Sequence, residues 1–419
     1  MTVADLVRAV TDGDVPMRVE AFDGSAVGNS TQGLTLNLRN ERGLRYLVTA
    51  PGDLGMARAY VSGDLELIGA HPGDPYDAMR ALASWRFRVP PLRRLPELFR
   101  QVGVRRLVPP PPPPQEALPR TRRVVEGMRH SLNRDVAAIS KHYDVSNEFY
   151  RHVLGPSMAY TCAVFPKPDT GLDDAQAEKF DLVARKLALA PGMRLLDIGC
   201  GWGGMARHAA RHYGVDVVAI TLSEAQADWA AAAVERDGLA GQVRVLHGDY
   251  RDAPGTGYDA VASIGLLEHI GVRNYRAYFG FVRNKLRDGG RLLNHCITRA
   301  DNRSSVLPGA FIDRYVFPDG ELTGSGRIIS EAQDAGLEVR HDENLREHYA
   351  LTLKAWCENL VTNWDACVQE VGVETARVWG LYMAGSRIGF ETNDVQLHQV
   401  LAVRTANDGA AQFPLRPTW

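Results

Sequence analysis

The chain has 419 residues, 45% hydrophobic and 23% charged, with a formal net charge of −2. That length predicts two to three domains with a sizeable core, and the composition excludes a disordered, collagen-like or coiled-coil protein. No run of about 18 uncharged apolar residues occurs, which argues against an integral membrane protein, and the near-neutral total excludes a chain that binds nucleic acid through bulk charge.

The first residues, MTVADLVRAVTDGD, carry acids early and no apolar h-region, so they do not read as a secretory signal. Residues 1–107 read as a small α+β domain. LTLNLR and YLVTA look like short strands, and a helix is expected around 77–85. Residues 108–120 read as a linker, because six consecutive prolines at 109–114 cannot form a helix or a central strand and favour a stiff polyproline II spacer. Of the 48 basic residues, 42 are Arg and six are Lys. Twelve Arg lie between residues 86 and 134, against three Glu and no Asp, a local charge of +9. Leu92, Leu95, Phe99 and Val102 can share one helical face with Arg93, Arg94 and Arg100 elsewhere, although Pro96 must then sit in the first turn or kink the helix. A basic amphipathic segment of this kind reads as a membrane-surface element. No stacking module accompanies it, so nucleic acid is not the expected partner.

Helical periodicity returns from residue 121 (Val124, Val125, Met128, Leu132, Val136, Ile139), opening a domain that runs to 419. From about 140 to 405 apolar strands (MRLLDIGC, VDVVAIT, VRVLHGD, YDAVASIGLL, GRLLNHCIT) alternate with helical segments such as 204–213 and 223–236. The fold class is therefore α/β, a Rossmann-like, mostly parallel sheet with helices on both faces. The five Cys are scattered without C-x-x-C pairing. They form neither a disulfide framework nor a zinc knuckle, and a reducing cytoplasm is the simplest home. His142, His269 and His295 offer no ligand spacing on one helix, so no metal is expected.

The strand LLDIGC runs into Gly199-Cys200-Gly201-Trp202-Gly203-Gly204 and then into a helix. Formally this is G-x-G-x-x-G, so a dinucleotide site is one reading. Asp197, just before the turn, would repel a pyrophosphate, and the second strand ends in Thr221-Leu222-Ser223 without the acid that usually takes a ribose 2′-OH. S-adenosylmethionine (SAM) has no phosphate, and its ammonium and sulfonium suit Asp197 better.

LLDIGCGWGGMARHAARHYGVDVVAITLSEAQ resembles the SAM site of the cyclopropane fatty-acyl phospholipid synthases and mycolic acid cyclopropane synthases. KHYDVSNEFYRHVLGPSMAYTCAVF, DAQAEKFDLVARKL, SIGLLEHIG, RLLNHCIT, DRYVFPDGEL and HYALTLKAW match further family blocks in the same order. The resemblance spans roughly residues 125–405. Residues 1–107 are similar, more weakly, to the extra N-terminal domain of the phospholipid-acting branch. The resemblance implies a SAM-dependent methyltransferase fold, with SAM contacts at Tyr160 and Thr161, along Leu195, Asp197, Gly199, Cys200, Gly201 and Gly203, at Thr221, Leu222 and Gln226, at Tyr250 and Arg251, and at Ile264. Backbone amides at the turn would meet the ligand carboxylate.

The resemblance further implies methyl transfer to a cis double bond of an unsaturated phospholipid acyl chain. A dry pocket must protect the resulting carbocation, and a base must remove a proton. In the family that base is a bound bicarbonate or a carboxylate, which places Cys162, Glu268, His295, the backbone at Ile297, and Tyr349 around it. Glu268 and His295 both follow apolar strands and should emerge at the carboxyl edge of the sheet. Proton loss from the new methyl closes a cyclopropane; loss after a hydride shift leaves a methylene branch. The family segment Y-L-x-x-C-A-x-x-F has Ser386 in place of its Cys here. That departure points to the branch making 10-methylene chains, which a reductase partner would convert to methyl branches. A peripheral position at the inner face of the membrane follows, and a homo-oligomer is compatible with the sequence. A methyltransferase of a small soluble substrate and a non-catalytic SAM or lipid binder are the competing classes. Neither would need both the basic segment and the polar cluster.

Overall fold

The computed structural model describes residues 1–29, 33–88, 103–117 and 146–419. The periodic stretch after 121, the basic segment through Phe99, and His142 lie outside them. The chain divides into two compact units. One comprises residues 1–118, 309–316 and 356–388; the other comprises 119–308, 317–355 and 389–419. The expected linear division into 1–107, a linker and 121–419 is thus replaced by units that each draw on separated stretches of chain.

The first unit carries a four-stranded sheet in the order β2-β1-β3-β4, with β1 Arg18–Ala21, β2 Ala26–Val27, β3 Thr35–Leu38 and β4 Leu65–Ile68. The helix expected around 77–85 runs Tyr76–Ala83. YLVTA, expected as a strand, belongs instead to the helix Glu41–Thr49. The Asn40 side chain accepts from the Gly43 amide and starts it, and Gly43, Leu44 and Tyr46 bury one helical face. Five residues, four of them apolar, are too few to separate the two periods. The proline run is not a free spacer. A polyproline II helix has no internal hydrogen bonds, so its carbonyls look to other segments for donors. Val108 C=O accepts two bonds from Arg45, and Pro111 C=O accepts from Tyr46 Oη at 2.6 Å. Pro110 and Pro113, three residues apart and so on one face of such a helix, are buried. Glu116 then takes a two-pronged contact from Arg58, at 2.7 Å to each oxygen, and a further ion pair from Arg314.

The second unit holds a seven-stranded sheet in the order β10-β11-β9-β8-β5-β6-β7. Its strands are β5 Arg194–Ile198, β6 Asp216–Thr221, β7 Val243–His247, β8 Tyr258–Ile264, β9 Leu286–Arg299, β10 Glu338–Asn344 and β11 Val395–Val403. Strands β5 to β9 are parallel, and the last two are antiparallel additions at one edge. All five strand segments read from the sequence are present. Chain order turns back between β5 and β8, so a ligand crevice is expected outside their carboxyl ends. Alternation along the strands separates two cores. Leu195, Ala262, Leu293 and Leu401 face one side, against the helices Leu172–Leu187 and Gly204–Tyr213. Leu196, Val261, Leu292 and Cys296 face the other, against Tyr275–Lys285. No helix among the described residues is long and apolar enough to cross a membrane.

Candidate active site

A cavity opens at the expected crevice. Its wall includes Met158, Tyr160, Thr161, Lys179, Phe180, Asp197, Gly199, Cys200, Gly201, Trp202, Thr221, Leu222, Gln226, Ile264, Gly265, Leu266 and His269. A second cavity shares Gly199, Thr221, Leu222, Leu266 and His269 with it, and adds Asp249, Tyr250 and Arg251. Ten of the residues expected to bind the cofactor line the first cavity, and Tyr250 and Arg251 line the second. Leu195 does not reach either, because its side chain is fully buried in the sheet core. Gly203 stands behind the turn as the N-cap of Gly204–Tyr213, with φ +77. Its left-handed backbone is what lets the strand enter the helix so sharply.

The turn leaves that helix without a side-chain cap, so its first amides remain available to an anionic ligand group. Asp197 Oδ2 is buried and has no partner among the described residues. Burial raises its pKa, opposed by Lys179. Thr221 donates to Gln226 Oε1 at 2.8 Å, which leaves the Gln226 amide nitrogen free to donate near Gly201. In the second cavity Asp249 accepts from the backbone and guanidinium of Arg251, at 2.9, 2.5 and 2.8 Å. An unpaired buried carboxylate, free helix-end amides and hydroxyl and amide donors fit a ligand that carries ammonium, carboxylate and ribose groups. This is the donor set of SAM.

Lys179 escaped the sequence reading. It is buried on the apolar stripe of Leu172–Leu187, one turn from Ala175 and Val183, and donates to Thr161 Oγ1 at 2.9 Å. Burial lowers its pKa, with Cys162 and Asp197 pulling it back. The available signal was its position, since two of the six Lys in an Arg-rich chain fall on the buried side of this one helix.

The polar cluster expected around the base is partly assembled. Glu268, in the short helix Leu267–Ile270, accepts from the Ile297 amide through Oε1 at 2.8 Å. Its Oε2 is buried without a partner among the described residues. Burial pushes this carboxyl up to about 7, against the Ile297 hydrogen bond. The Ile297 amide expected to hold bicarbonate is therefore already committed to Glu268. His295 lies two residues before Ile297, on the same face of β9, and is buried. Its pKa is held well below the ordinary value by burial and by Lys179 and Lys186. The Cys162 thiol points to the carbonyls of Ala163 and Leu345, and burial raises its pKa. Tyr349 sits one turn after Leu345, and its ring meets that of Phe390 in a tilted contact at 4.5 Å between centroids. Two of the donors expected to hold bicarbonate, the Ile297 amide and the Cys162 thiol, are thus turned to acceptors within the protein.

Residues 130–400 match the family model for mycolic acid cyclopropane synthetase. The chain is 56% identical, over its whole length and 98% of the relative, to a probable fatty acid methyltransferase of Mycobacterium tuberculosis. It is 35% identical to the cyclopropane-fatty-acyl-phospholipid synthase of Escherichia coli K12, over 64% of this chain and 68% of that one. Among solved structures it is similar to the mycolic acid cyclopropane synthase CmaA1 complexed with SAH and CTAB. The TM-score there is 0.60 at 32% identity, covering 64% of this chain and 97% of that one.

Proposed function

Since the chain belongs to the mycolic acid cyclopropane synthetase family, we propose that it transfers the methyl group of SAM to a cis double bond of an unsaturated phospholipid acyl chain. The buried, half-partnered carboxyl of Glu268 beside a cavity of SAM-like donor chemistry carries the reading. SAM, when bound, supplies an electrophilic methyl carbon. The uncapped end of Gly204–Tyr213 and the glycine turn would hold its carboxylate, Asp197 Oδ2 its ammonium, and the Gln226 amide a ribose oxygen. Methyl addition leaves a positive charge on the neighbouring chain carbon, and the protein must then exclude water and take a proton. Glu268 Oε2 is the acceptor in this reading, poised by a pKa near 7.

Proton loss from the added methyl closes a cyclopropane directly, whereas a hydride shift first moves the positive charge onto the methyl-bearing carbon, and proton loss from the same methyl then gives a 10-methylene branch. Ser386, standing where the family segment has a Cys, is what favours the methylene product in this reading. A separate reductase would then be needed to reach a methyl branch. The substrate lies in a bilayer, so the protein is peripheral at the inner membrane face. Trp85 and Phe87 stack at 4.9 Å with Phe87 62% exposed, flanked by the exposed Arg86 and Arg88. This is a composition suited to a lipid interface. Incubation with SAM and oleoyl phospholipid should add one CH2 to the acyl chain by mass spectrometry, and NMR should show a vinylidene group. A ring signal would replace the methylene by the cyclopropane product. No mass gain with phospholipid would overturn the proposal.

A further inference from the structure

Four residues from four strands lie in one row across the second sheet. Glu343 on β10 is opposite Gln399 on β11, Gln399 is opposite His295 on β9, and His295 is opposite Ile264 on β8. Ile264 lines the cofactor cavity. Above the row lies Lys186 from the helix Leu172–Leu187, with no accessible surface. Its ammonium pairs with the Glu343 carboxylate and donates to Gln399 Oε1 at 2.8 Å. Gln399 Nε2 stands 3.2 Å from His295 Nδ1.

Hydrogen-bond chemistry fixes the direction of this chain. An ammonium has donors and no acceptor, so the face of the Gln399 amide turned to Lys186 must be its oxygen. The NH2 must then face β9, and an NH2 can only donate. His295 Nδ1 therefore accepts, and in a neutral ring the proton sits on Nε2. That Nε2 is buried with no partner among the described residues. The groups that act on the ring electrostatically are Lys179 and Lys186, both from the helix, and both favour the neutral form.

We propose that Lys186 and Gln399 are positioning residues that hold His295 as its Nε2–H tautomer, so that it presents a hydrogen-bond donor, never an acceptor, to the reacting region. The donor suits an anionic or carbonyl oxygen there. It also denies the site a basic imidazole nitrogen, which leaves proton removal to Glu268. This inference rests on the proposed function only in placing His295 beside the reaction.

The test is long-range 1H–15N NMR of the full-length protein labelled with 15N-histidine, with His295 assigned by His295→Gln. Wild type should show a pyridine-like Nδ1 and a pyrrole-like Nε2 for His295 across pH 6–8. Gln399→Glu keeps the shape but offers only acceptor oxygens, so the ring must put a proton on Nδ1 and the pattern should reverse or become that of an imidazolium. In that variant kcat should fall about ten-fold or more while SAM affinity changes less than about three-fold. Lys186→Met frees the amide to rotate and should give a mixture of tautomers. An Nδ1–H ring in wild type, or an unchanged ring in Gln399→Glu, would overturn the inference without any activity measurement. Reversal of the tautomer with full activity would uphold the relay and instead remove His295 from the proposed reaction.

Discussion

Glu268 and Ile297 are joined by a 2.8 Å hydrogen bond from the Ile297 amide to Oε1, and this bond decides which carboxylate oxygen is left for chemistry. Oε1 is spent on the backbone of β9. Oε2 remains buried and unpartnered, which is costly for a structural carboxylate and useful for a base.

Glu268→Gln keeps the size of the side chain and an oxygen that can accept from Ile297, but removes the basic site. Turnover should fall about 10³-fold, while SAM binding by calorimetry stays within about three-fold of wild type. Retained turnover would assign proton removal to another group.

The same carboxyl sets a pH limb. Burial raises its pKa to about 7, so below that pH it is protonated and cannot accept a proton. The rate should rise about ten-fold per pH unit on the acid side and level off above about 7. A profile of kcat with saturating SAM that stays flat from about pH 5.5 to 8.5 is incompatible with Glu268 as the acceptor.

Gly265 and Thr161 meet at the cavity wall. Gly265 has φ +73, and a Cβ there would lie 2.9 Å from Thr161 Cγ2. Gly265→Ala should cost about 1 kcal/mol of backbone strain. It should also displace Thr161 from Lys179, weakening SAM binding about ten-fold. Adding Thr161→Ser removes the clashing methyl but keeps the hydroxyl that accepts from Lys179, so the double variant should bind SAM more tightly than Gly265→Ala alone. If the second substitution brings no recovery, the steric account is wrong.

Membrane attachment is testable by vesicle flotation. Binding to anionic vesicles should weaken as salt rises from about 50 to 300 mM, because surface charges are screened. It should weaken again on replacing Arg93, Arg94, Arg105 and Arg106 with Gln, at about 1 kcal/mol for each arginine that sits near the head groups. Equal binding by the quadruple variant would exclude the basic segment as the membrane contact.

What could be read from the sequence was local. The strand-turn-helix of LLDIGCGWGG, the placement of Asp197 before it, and the alternation that announced β5 to β9 all depend on neighbours a few residues apart, where backbone geometry and side-chain period act directly. Motif resemblance carried the reading on to Thr221, Gln226, Glu268 and His295. Tertiary structure decided the rest, because it depends on which distant segments share a face. The Ile297 amide looked free in a linear reading, and only the fold brings Glu268 to it. Lys179 and Lys186 read as ordinary charged residues until their helix packs against the sheet and leaves both without water. Gln399 carries no motif at all; the register of β11 against β9 is what sets it opposite His295. The proline run shows the same limit, since its stiffness is intrinsic but its docking by Arg45 and Tyr46 comes from another part of the chain.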